Sequence, residues 1–173
     1  MKWFRFTVLI LAGAIIQSSA LMETVSLTVQ HIKPNILLIL LVYFAISCDS
    51  YDAIIISFAI GFAADLTGAL IGPYFISFGI IGTAIAHIRK LILVKKTGQQ
   101  AIVIFAAGIL IQIPAIILAK IKGSTAETGG FLEIFAVPIY SAILWFLVKW
   151  PVTAIGKWLG VGIHRFKLRI DER

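Results

Sequence analysis

Apolar and polar positions along the chain sort into six apolar runs separated by short polar breaks: Phe6 to Met22, Ile36 to Cys48, Ala53 to Ile71, Tyr74 to Ile88, Ala101 to Ala119 and Phe131 to Val148. Crossing about 30 Å of hydrocarbon at about 1.5 Å per helical residue takes about 20 residues. The first, third, fifth and sixth runs meet that length directly. The second and fourth are short, and span only if flanking residues such as His31, Lys33 or Tyr74 reach the interface or the bilayer thins locally. The pattern predicts an all-α, polytopic membrane protein whose six transmembrane helices form a compact bundle.

Composition supports a lipid solvent, since 60% of the 173 residues are hydrophobic and only 13% charged. A soluble domain of this size could not hide so much apolar surface. The net charge of +7 would suit nucleic acid if it were spread over a soluble face, but the basic residues cluster between apolar runs, so membrane lipid is the expected partner and nucleic acid is not. With both termini and the 89–100 loop in the cytoplasm, twelve of the fifteen Lys and Arg lie inside, leaving Lys33, Lys120 and Lys122 outside. That arrangement follows the positive-inside rule. The start, "MKWFRFTVLILAGAIIQSSA", also has the layout of a cleavable signal peptide; the apolar run continues through Leu21 and Met22 to spanning length, which favours a retained span. Residues 1–150 are read as the six-helix domain. Residues 151–173 are read as a basic cytoplasmic tail, in which Val152, Ile155, Leu159, Ile163 and Phe166 recur at helical spacing, suited to a surface of anionic lipid.

Candidate chemistry is sparse. No G-x-S-x-G, P-loop or H-E-x-x-H motif occurs, so no catalytic residue is assigned. Cys48 is the single cysteine, and His31, His87 and His164 lie too far apart in the chain for metal-ligand spacing, so no disulfide, metal or cofactor is expected. Asp49 and Asp52 are a close carboxylate pair, better explained by a solvated turn between two spans than by acid–base work.

The stretch "IGFAADLTGALIGPY", residues 60–74, is more informative. If the third helix runs through it, Gly61, Asp65, Gly68 and Gly72 follow at steps of four, three and four and share one face. Small residues at that spacing admit another helix backbone, and an ionisable group in a span faces the bundle interior. Counted from the starts of their runs, Asp65 lies about 18 Å deep and Gln17 and Gln112 about 16 Å. The expectation is a buried cluster of Gln17, Asp65 and Gln112 near one level, with Pro114 freeing the carbonyl of Leu110 close by.

These residues resemble the rod shape-determining protein MreD family over nearly the whole chain. Lys33, Pro34 and Asn35 are similar to that family's Lys/Arg-Pro-Asp/Asn entry to the second run. Gly61, Phe62, Asp65, Leu66, Thr67, Gly68 and Gly72 are similar to its Gly-Phe, Asp-Leu, Ser/Thr-Gly and Leu-Gly pattern, and Gln17 to a glutamine late in the first span. The resemblance implies a non-enzymatic scaffold or regulator of the bacterial cell-elongation and peptidoglycan-synthesis machinery in the inner membrane. It further implies docking of MreC, joint action with MreB, RodA and a class B penicillin-binding transpeptidase, and a fold similar to the six-helix substrate-binding components of energy-coupling-factor transporters. Because that fold and a polar cluster inside it also suit a ligand, the alternative is a small-molecule-binding membrane component of such a transporter.

Overall fold

The computed structural model describes residues 3–19, 34–68, 72–88, 96–121 and 131–160. They form six α-helices: α1 Trp3–Ser18, α2 Ile36–Ser47, α3 Ser50–Leu66, α4 Pro73–Ile88, α5 Thr97–Ile121 and α6 Phe131–Trp158. Lys33 and the tail beyond Gly160, with its Ile163 and Phe166, lie outside the described residues.

The short second run has a structural reason. Helix α2 has 12 residues, about 18 Å of helix, and Leu37, Leu38, Ile39, Leu40, Leu41 and Val42 are all buried. A helix apolar all round belongs in an interior, and α2 packs against each of the other five helices. Around it, α1 packs on α3, α3 on α4, α4 on α5 and α5 on α6. The core follows this axis: Phe44 and Phe6 meet edge to face, and Ile56, Ile60, Phe78, Ile104 and Trp145 close over it.

Helices α5 and α6 contain apolar stretches of 22 and 25 residues, long enough to cross a bilayer. Only 33% and 17% of their most apolar windows are buried, so most of that apolar surface faces outward, as it would toward lipid.

Two element ends differ from the sequence pattern. Helix α3 stops at Leu66 rather than at Ile71, with Thr67 as its C-cap; the apolar residues that follow extend the hydropathy run, whereas Gly68 and Pro73 break the helix. Helix α6 runs on through Pro151 to Trp158, across the 150/151 boundary. Val152 and Leu159 are buried and Ile155 packs against the core, so the first turns past 150 belong to the bundle. Gly160, at φ 77°, closes the helix, in the left-handed conformation that favours glycine there.

Candidate functional site

The starts of α2 and α4 lie in a polar region of the bundle, and each start is tied to a side chain from another helix. Asp65, in the last turn of α3 and fully buried, accepts hydrogen bonds from the backbone N–H groups of Gly72 (2.8 Å), Tyr74 (2.9 Å) and Phe75 (2.9 Å). The first turn of a helix leaves N–H groups without intrahelical partners. Pro73, at the first helical position of α4, has none to satisfy. One acidic side chain and one proline therefore leave no N–H of that turn unmet, and the acceptor oxygens sit at the favourable end of the helix dipole. Gly72 supports the turn with φ 120°, which glycine adopts at little cost.

The start of α2 is held from three sides. Gln17, one residue before the end of α1, donates from Nε2 to the carbonyl of Pro34 (3.2 Å) and accepts at Oε1 from the N–H of Ile36 (2.9 Å). Asn35 caps its own helix by accepting from the N–H of Leu38 (2.9 Å), a strongly preferred N-cap residue. The N–H of Asn35 donates to the hydroxyl of the buried Ser141 on α6 (2.9 Å).

Gln112 lines a recess of about 130 Å³ together with Asn35, Leu38, Tyr74, Gly108, Ile111 and Val137. The recess lies between the two capped starts, since Asn35 caps one and Tyr74 is held at the other. The three polar side chains are thus drawn to one region, but not to each other: Gln17 and Asp65 bond to backbone, and no hydrogen bond joins them to Gln112 among the described residues. The expected three-membered cluster is corrected to two helix caps beside a small recess.

The glycine stripe is corrected as well. Because α3 ends at Leu66, only Gly61 and Asp65 stand on it; Gly68 and Gly72 lie in the connection to α4. Gly61 does admit a neighbouring backbone, that of α4 at Tyr74 and Phe75. The remainder of this seam comes from the opposite side: the Phe58 ring occupies the space beside Gly79, and Ser57 the space beside Gly82. Neither Gly79 and Gly82 nor Ser141 was indicated by the sequence pattern, although the G-x-x-G spacing from 79 to 82 is a close-packing signal of the kind applied to Gly61.

Of the other motif residues, Pro34 and Asn35 form the α2 entry, and Thr67 donates its hydroxyl to the carbonyl of Ala64 (2.8 Å). Phe62 and Leu66 are 47% and 55% exposed, on the outward side of α3. With Tyr51 and Ile55 they form an exposed stripe at helical spacing. Asp49 stands at the N-cap of α3 without a side-chain cap bond, and Asp52 lies in its first turn.

A central apolar helix and two outward-facing helices long and apolar enough to cross a bilayer define an all-α bundle of the membrane type, in which the polar side chains hold helix ends. The chain belongs to the MreD family: the model for rod shape-determining protein MreD matches residues 1–155. No curated protein and no solved structure gives a match. Membership makes the chain a non-enzymatic protein of rod-shape determination, acting with the elongation machinery.

Proposed function

We propose that the protein is a scaffold of the elongation complex in the bacterial inner membrane. It crosses six times with both termini in the cytoplasm and docks MreC on the outward face of α3, alongside MreB, RodA and a class B penicillin-binding transpeptidase. The observation that carries this reading is the direction of the family-like residues on α3: Asp65 turns inward to hold α4, whereas Phe62 and Leu66 turn outward. The first is explained by the fold, and the second is available to a partner. In the proposed orientation Arg5, Lys96, Lys149 and Lys157 lie on the cytoplasmic side and the capped starts of α2 and α4 toward the periplasm.

At the recess beside Gln112 the transporter alternative is disfavoured by size. Pockets for drug-sized ligands occupy roughly 300 to 1,000 Å³, and the recess at Gln112 has about 130 Å³, room for a few waters.

The test is a Phe62→Ala, Leu66→Ala double variant. It is expected to keep its thermal stability in detergent, to lose co-purification of MreC and to give rounded cells. Unchanged co-purification and unchanged shape, with the variant present at normal levels, would reject α3 as the docking face. A reporter fused to the C-terminus is expected to read cytoplasmic, and an external signal would overturn the orientation.

A further inference from the structure

The ring of helices around α2 is open at one place. No Cα of α1 lies within 8 Å of a Cα of α6 among the described residues, although both helices pack on α2. They flank a cleft floored by α2, where Leu40 lies against Gly13 of α1 and Tyr43 against Gly156 of α6. At one end the cleft is bridged by Arg5, whose Nη1 donates to the carbonyl of Trp158 (3.0 Å) while its guanidinium stacks over the Trp158 ring at 4.5 Å. Helical spacing from Arg5 places Leu9, Ala12 and Ile16 along the α1 wall, and spacing back from Trp158 places Ile155, Val148 and Leu144 along the α6 wall. Both walls are uncharged from the bridge onward.

Arg5 is the informative residue. Its guanidinium has five N–H donors, of which one is committed to Trp158, and no carboxylate among the described residues pairs with it. Stacking fixes the plane of the fork, and a fixed guanidinium fork matches the oxygens of a phosphate. Trp3 and Trp158, 43% and 55% exposed, lie at the same end, as aromatic residues do at a bilayer interface.

We propose that the cleft between α1 and α6 holds one anionic phospholipid, with its phosphate on Arg5 and an acyl chain along the uncharged walls. The proposal rests on the orientation given above, which sets Arg5 at the level of the headgroups. Charge complementarity selects the occupant, because a headgroup of net negative charge gives the guanidinium both phosphate oxygens and a counter-charge, which neither an apolar partner helix nor a zwitterionic headgroup supplies.

The test uses the full-length protein in mild detergent, supplied with equal amounts of phosphatidylglycerol and phosphatidylethanolamine and observed by native mass spectrometry. One phosphatidylglycerol per chain is expected, retained about tenfold over phosphatidylethanolamine. Arg5→Gln is expected to abolish the preference and Arg5→Lys to reduce it, whereas Lys120→Gln, which removes a charge at the far end of α5, is expected to leave it intact. Equal retention of the two lipids overturns the proposal, as does equal loss in Arg5→Gln and Lys120→Gln, or a second copy bound in place of lipid. If Arg5→Gln does not fold, Arg5→Lys decides, and an undiminished preference there rejects the fork. The C-terminal reporter separates the two readings: lost selectivity with a cytoplasmic C-terminus rejects the cleft alone, and an external C-terminus rejects the orientation.

Discussion

The carbonyl oxygen of Tyr74 lies 2.8 Å from the point at which Gly61 would carry a Cβ, and the Cα of Phe75 and the Cβ of Phe78 lie 2.9 Å from it. Helices α3 and α4 therefore touch through backbone, and the glycine is required by contact rather than by conformation. Gly61→Ala is expected to destabilise the bundle by about 1 to 3 kcal/mol, the usual cost of overpacking. Gly68→Ala is expected to be nearly silent, because the nearest atom to its Cβ position is 3.6 Å away. Thermal unfolding of both variants in detergent checks the contrast, and equal losses would show that the seam extends past Leu66.

Asp65 gives a second test. Asp65→Ala removes the acceptor of three backbone N–H groups in a buried site, and each such donor left unmet costs about 1 to 3 kcal/mol. Asp65→Asn keeps one acceptor oxygen but turns an amide N–H₂ toward other donors, so it is expected to fall between Ala and wild type. Amide hydrogen exchange at the start of α4 provides the local readout, with protection of Tyr74 and Phe75 lost first. Uniform loss throughout the bundle would argue against a cap.

Gly72 isolates backbone strain. At φ 120° an alanine is strained whatever space surrounds it, and a cost of about 1 to 3 kcal/mol is expected for Gly72→Ala. Because the same residue donates to Asp65, the loss is expected to be less than additive with that of Asp65→Ala. Strict additivity in a double-mutant cycle would separate the turn from the cap.

The start of α2 yields a parallel prediction from Gln17 and Ser141. Gln17 holds Pro34 and Ile36, and Ser141 holds Asn35. Gln17→Leu and Ser141→Ala are each expected to cost about 1 to 2 kcal/mol and, together, to differ from the sum by at least about 0.5 kcal/mol. The cycle is measured by chemical unfolding in mixed micelles.

Sequence pattern located most helices closely, since apolar runs at 36–48 and 74–88 became helices Ile36–Ser47 and Pro73–Ile88. Their lengths misled where hydropathy and geometry part company. The apolar run reads on to Ile71 although α3 ends at Leu66, and Lys149, Trp150 and Pro151 interrupt the hydropathy of α6 without ending it. The site was harder to read for a chemical reason. A search for partners of Asp65 and Gln17 turns to other side chains, because only side chains have identity in a sequence; both residues instead bind backbone groups, which every residue carries. Pro73 was the available clue, being suited to a helix start whose remaining N–H groups need an acceptor. Gly79 and Gly82 were legible in principle, but their meaning depended on knowing that α4 faces α3.

Helix α2 is synthesised second yet ends at the centre, wrapped by helices of which four, α3 to α6, follow later in the chain. At 12 residues it is too short to cross the bilayer unaided, and its entry is fastened by Ser141, more than a hundred residues downstream. In lipid its apolar surface needs no shelter, but the N–H of Asn35 meets the Ser141 hydroxyl only once α6 has been made, so the entry to α2 is completed by the last helix to form.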